Sequence, residues 1–187
     1  MFWERAGSQN TDATIHQALK RMEELNINDL VVASCQGNTI SKVLDLAPPG
    51  TNLVCVTHHQ GFQTSGENEM DAKTRQELAS RGVKLLTTTH FFAGADRALR
   101  NQFGGVYPAE IMAQTLRIFG QGAKVAIEIS IMALDAGLIP YGQEIVALGG
   151  TISGADTAIV VAPAHSNHFF QTQVREVICM PREKKTE

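Results

Sequence analysis

Residues 30–43 read Leu30-Val31-Val32-Ala33-Ser34-Cys35-Gln36-Gly37-Asn38-Thr39-Ile40-Ser41-Lys42-Val43, and they decide the fold. A β-branched apolar run stops abruptly in small polar residues and a glycine. A helical pattern then starts at Thr39, with Ile40, Val43 and Leu44 on one face. Strand, polar glycine turn and helix start, in that order, is how α/β proteins build a phosphate site. The first N–H groups of a helix point outward without partners. Ser34 and Thr39 add two hydroxyls.

The same alternation runs outward from this unit. Strands are expected at 29–33, 52–57, 83–87, 145–148, 158–161 and 174–180. Helices are expected at 12–25, 39–46, 71–80, 94–102, 108–119 and 123–136. Asn10-Thr11-Asp12 reads as a helix cap, Pro48-Pro49-Gly50 as a stop, and Pro108 as a first-turn proline. Strand and helix alternate three times, then helices follow one another, then strands come close together. The expected fold is therefore a three-layer α/β domain. Its sheet is mostly parallel, with helices on both faces and an antiparallel edge. With no repeat, linker or composition break, residues 1–187 read as one domain, with 182–187 a frayed charged tail.

Composition narrows the function. The chain has 187 residues, 43% apolar and 19% charged, with net charge −3. That balance offers no bulk attraction to nucleic acid or an acidic membrane. No apolar run reaches the roughly 20 residues of a membrane span, and the N-terminus lacks a signal-peptide layout. Three cysteines without CxxC spacing argue against a disulfide framework or a zinc site. A cytoplasmic protein without a metal is expected.

Polar residues collect after the strands: Ser34 to Thr39, then Thr57, His58 and His59, then Thr88, Thr89 and His90, then the loop Gly149 to Thr157. In an open parallel sheet, ligands bind at the carboxyl ends of the strands. Each feature alone has a bland reading. A Ser/Thr/Gly turn also caps helices, and His90 could do the same. Asp156 suits a turn, and Glu128 sits in an apolar helix. Cys35 would lie where backbone dipoles lower a thiol pKa, but its bland reading, a buried and unreactive thiol, is the favoured one.

The 30–43 segment, followed by Pro48 and Asn52-Leu53-Val54-Cys55-Val56-Thr57, resembles the C-terminal α/β domain of pyruvate kinase. Further features are similar to stand-alone proteins of this type in archaea and bacteria: Gly61-Phe62, Gly66-Glu67-Asn68, Gly104-Gly105-Val106, Glu128-Ile129, Gly154-Ala155-Asp156-Thr157 and Pro163-Ala164-His165. The resemblance implies a phosphate role for Ser34, Gly37, Asn38 and Thr39. It also implies bound flavin mononucleotide (FMN), with no settled reaction. No room remains for the catalytic barrel of pyruvate kinase, so that activity is not expected. The turn departs from the kinase at Cys35 and Gln36 and lacks a basic residue, which favours a monophosphate over a sugar bisphosphate.

The expected cofactor-binding set is Ser34, Cys35, Gln36, Gly37, Asn38, Thr39, Thr57, His58, Thr88, Thr89, His90, Glu128, Gly149, Gly150, Gly154, Ala155, Asp156 and Thr157. The expected partner is a small phosphorylated molecule, and the apolar 123–136 helix leaves a homo-oligomer open. Three readings follow. The first is an FMN-binding protein, extending to an oxidoreductase. The second is a sensor for another phosphorylated metabolite without turnover, favoured by the lack of an obvious acid–base pair. The third, weaker because no arginine follows the turn, is a hydrolase with Cys35 as nucleophile.

Overall fold

The computed structural model describes residues 1–184. In chain order the elements are β1 (Phe2–Arg5), α1 (Thr11–Leu25), β2 (Asp29–Ala33), α2 (Asn38–Leu46), β3 (Asn52–Thr57), α3 (Ala72–Ser80) and β4 (Lys84–Thr87). They continue with α4 (Gly94–Phe103), α5 (Pro108–Arg117), α6 (Gln121–Asp135), β5 (Ile145–Gly149), β6 (Thr157–Ala162) and β7 (Gln173–Glu183). The seven strands form one sheet in the order β1-β7-β6-β5-β2-β3-β4. β5, β2, β3 and β4 run parallel in sequence across it.

Side chains alternate across the sheet, so one strand feeds both faces. On one face Leu30, Val32, Leu53 and Leu148 meet Ile15 and Met22 of α1, Ile40 and Val43 of α2, and Leu78 of α3. On the other, Val31, Val54, Ala147 and Ile159 meet α6 through Ala126, Ile129 and Ala133. This is the expected three-layer arrangement. The helix α6 is buried along most of its length, in keeping with its mostly apolar sequence. No helix among the described residues is long and apolar enough to cross a membrane.

Two expectations need correction, and one strand was not expected. The reversed strand is not an edge. β6 is antiparallel to both β5 and β7, and lies between them. The edge on that side is β1, parallel to β7. β1 carries no apolar alternation strong enough to announce itself, because its residues are mostly exposed. The tail is also shorter than expected: Arg182 and Glu183 belong to β7, where Glu183 O accepts from Ala6 N at 2.9 Å. Residues 185–187 lie outside the described residues.

β2 is the point where strand order switches direction. The chain moves from β2 to β3 on one side and returns at β5 on the other. A crevice opens beyond such a point because the connecting loops diverge.

Candidate functional site

A cleft of about 410 Å³ occupies that crevice. Its lining includes Ser34, Cys35, Gln36, Asn38 and Thr39 after β2, His58 after β3, and Gly150, Ile152, Ser153 and Gly154 after β5. The first turn of α6 borders it through Gln121 and Val125. Eight of the expected residues thus share one cleft. Gly37 supports them from behind.

The turn is built around Gly37. Its φ of 94° is left-handed, and a Cβ there would meet Thr74 Cγ2 at 2.7 Å. Glycine is needed on both counts. The cap residue of α2, Gly37, offers no side chain to its first amides. The Ile40 amide reaches Ser34 Oγ at 3.4 Å, so Ser34 closes the turn from within. The leading amides of α2 remain directed at the cleft, as helix geometry dictates.

The post-β5 loop folds tightly on itself, with a Gly150 Cβ position 2.2 Å from Gly154 O. At its tip Ile152 has φ 65° and is 88% exposed. A β-branched residue in that conformation is uncommon. It forms an apolar lip on the cleft, which Val125 also lines.

Other expected residues have different work. Thr57 is buried and bonds His58 O at 2.8 Å and Thr87 Oγ1 at 2.7 Å. Thr88 and Thr89 border a separate cavity of about 550 Å³ whose charged side chains are Asp96 and Asp135. That cavity is larger, but its carboxylates repel a phosphate. Ala155, Asp156 and Thr157 lie in the core. Asp156 accepts from Gly7 N at 3.1 Å and from Thr157 Oγ1 at 2.8 Å, tying down the N-terminal segment. Gly149 lets α6, not a ligand, come close: its Cβ would sit 2.1 Å from Gly122 O.

Glu128 is not free for a ligand either. One oxygen pairs with Lys124 Nζ, and the other accepts from Phe92 N at 2.9 Å. This pair lines a cavity of about 180 Å³ with His90, Arg97, Arg100, Glu110 and Arg117. Four cationic side chains face two carboxylates there. Arg117 Nε donates to Gln121 Oε1 at 2.7 Å, so this basic chamber adjoins the cleft along α6. The His58 and His90 rings, 5.4 Å apart, stand between the two spaces. Sequence reading missed the chamber because its cations come from α4, α5 and α6, none from the 34–39 turn. Lys124 and Glu128 at helical i,i+4 spacing were the available signal.

The Cys35 thiol follows its bland reading: it is half-buried and unreactive. Burial pushes the Cys35 thiol up to about 11, despite a hydrogen bond from the His58 backbone. Cys35 is therefore a neutral thiol at pH 7, which removes the nucleophile of the hydrolase reading. His58 Nδ1 lies 2.6 Å from Glu69 Oε1, a histidine–carboxylate pair that the sequence did not reveal. Spacing along the chain had argued against metal. Across the fold, ligand atoms of Cys35, His58 and Glu69 come within 4.8 Å of one another.

Burial lowers the His90 pKa, and the Glu128 carboxylate pulls it partly back. A lowered folded value means that the unfolded chain takes up this proton first as pH falls. The stability contribution is full above about 6.5, the unfolded value. It is lost as pH falls from there through the folded value. Urea unfolding at a series of pH values should show a shallower acid-side decline in His90→Gln than in the parent. Identical slopes would assign the decline to other groups.

The family profile described as pyruvate kinase, alpha/beta domain, matches residues 12–161. Solved structures similar to this chain include a pyruvate kinase from Cryptosporidium parvum, at 13% identity and TM-score 0.41, over 80% of this chain and 22% of that one. A structure of Cryptosporidium parvum pyruvate kinase in complex with ADP gives 14% identity and TM-score 0.40 over the same shares. The chain thus spans about a fifth of the length of those pyruvate kinases.

Proposed function

The chain belongs to the pyruvate kinase alpha/beta-domain family, and from that premise we propose that its switch-point cleft binds a phosphorylated small molecule, with FMN the first candidate. The carrying observation is the N-terminus of α2, where Gly37 brings no capping side chain to the first amides, facing a 410 Å³ cleft that a glycine loop closes from the other side. Volumes of about 300–1,000 Å³ are usual for small-molecule sites. Helix N-terminal amides bind one phosphate without a lysine, which fits a monophosphate.

The rest of the cleft suits a ligand with a planar apolar part. Ile152 and Val125 offer apolar surface beside the polar turn. The basic chamber along α6 supplies positive potential near the bound group, the kind of field by which proteins tune a flavin. The phosphate rests on Asn38 and Thr39, and Gly150 to Gly154 cover the opposite side.

Titration by flavin fluorescence tests this with FMN and riboflavin, which differ by the phosphate. FMN should bind at about one site per chain, with riboflavin at least tenfold weaker, a difference of about 1.4 kcal/mol. Asn38→Asp should weaken FMN at least tenfold by charge repulsion. It should leave the melting temperature equal or higher, because an acid favours a helix N-terminus by about 0.3–1 kcal/mol. Equal binding of FMN and riboflavin, or unaltered FMN binding in Asn38→Asp, would overturn the phosphate assignment. If FMN fails but a phosphorylated sugar or nucleotide raises the melting temperature of the parent and not of Asn38→Asp, the site is that of a metabolite sensor.

A further inference from the structure

Three side chains from three loops meet on one wall of the cleft. Cys35 follows β2, His58 follows β3, and Glu69 precedes α3. Each is partly buried, and one ligand atom of each lies within 4.8 Å of the others. The His58 and Glu69 side chains are 29% and 13% exposed. Both are held in direction by neighbours. Phe62 stacks on the His58 ring with centroids 3.8 Å apart and planes 21° apart. Gln63 Nε2 donates to the second Glu69 oxygen at 3.1 Å. Outer contacts of this kind orient imidazole and carboxylate ligands at metal centres.

We propose that Cys35, His58 and Glu69 form a site for a divalent transition metal, zinc by preference, with its fourth position open to the cleft. A thiolate, an imidazole and a carboxylate make the mixed donor set that zinc accepts and that magnesium and calcium do not. Three protein ligands and one open position is the arrangement of zinc centres that handle a substrate or water. Metal–ligand bonds of about 2.0–2.3 Å hold tetrahedral donors roughly 3.3–3.8 Å apart. From within 4.8 Å the Cys35 donor draws in, while the His58 Nδ1–Glu69 Oε1 pair, now 2.6 Å apart, opens to that spacing; all three residues sit on loops outside the regular elements.

Binding balances simply. Metal–sulfur, metal–nitrogen and metal–oxygen bonds form, and the Cys35 S–H bond breaks, its proton passing to solvent. His58 ligates through one ring nitrogen, with its N–H on the other. Nothing is oxidised or reduced. Since one proton leaves, affinity rises with pH. This site is independent of the phosphate reading, which rests on α2 and not on these three side chains.

Cobalt(II) titration of the full chain after chelator treatment tests it. One equivalent should produce visible d–d bands of tetrahedral intensity and a near-ultraviolet thiolate-to-cobalt charge-transfer band. One equivalent of zinc should abolish both. Cys35→Ser should lose the charge-transfer band, while Cys55→Ala and Cys179→Ala keep it. His58→Gln and Glu69→Gln should bind cobalt at least tenfold more weakly, with far-ultraviolet circular dichroism matching the parent. A parent protein without the charge-transfer band, or a band that survives in Cys35→Ser, overturns the site. FMN titration of the chelated protein and of Asn38→Asp reads the phosphate site separately.

Discussion

Replacing Glu128 by alanine is expected to destabilise the fold by about 3–5 kcal/mol, the cost of leaving a buried charge without its partner. The side chains of Lys124 and Glu128 are 9% and 3% exposed, and they pair directly. Glu128 also holds the Phe92 amide at 2.9 Å. Alanine leaves that amide unsatisfied and strands the ammonium. Burial already lowers the Lys124 pKa, Glu128 raises it, and Arg117 and Arg97 lower it further. Without Glu128 the lysine keeps only the opposing influences. Removing both charges should be far milder, since two apolar side chains of similar volume need no solvation. Urea denaturation of Glu128→Ala and of the double variant Lys124→Met, Glu128→Leu checks this. The double variant should recover most of the loss. A Glu128→Ala protein within 1 kcal/mol of the parent (roughly the scale of a mean point mutation) would show that the pair carries no such burden.

Gly149→Ala should cost on the order of 3 kcal/mol, the upper end of overpacking effects. The added Cβ would lie 2.1 Å from Gly122 O and 3.0 Å from Ala126 N. Both are backbone atoms of α6, so no side-chain rotation relieves the clash. The helix must move away from β5, and with it Gln121 and Val125 on the cleft wall. Ligand affinity should therefore fall together with stability. Gly142→Ala is the control: its φ is 75°, but a Cβ there meets nothing within 4 Å. Only the backbone cost of about 1–2 kcal/mol applies, and the cleft should be unaffected. Thermal melts and ligand titration of both variants separate the effects. Equal melting temperatures for Gly149→Ala and the parent would mean that the β5–α6 contact yields easily.

Much of this was legible along the chain. The β-branched run at Leu30 to Val32, the break at Ser34 to Gly37 and the amphipathic turn from Ile40 fixed a strand, a glycine turn and a helix in place. β3 spans the expected residues 52–57, because its apolar run is bounded by proline and glycine on one side and polar histidines on the other. What misled was equivalence among loops. Thr88 and Thr89 follow a strand just as Ser34 does, but β4 is the outer strand, so its loop opens onto a different cavity. Asp156 looked like a ligand residue in a glycine loop, and it serves the N-terminal segment 149 residues away in sequence.

Local pattern along the chain is enough for the α/β alternation, the buried character of α6 and the glycine turn at 34–39. These follow from periodicity and turn chemistry, which act over a few residues. Only the tertiary structure decided which loops face one another. β5 returns beside β2 and not beside β4, and that placement closes the 34–39 turn with the 150–154 loop. The same folding brings Cys35, His58 and Glu69 together, and sets Arg97, Arg117 and Lys124 along one chamber. Such neighbours are many residues apart, and no local pattern specifies them. They are selected by strand order and by burying both faces of one sheet at once.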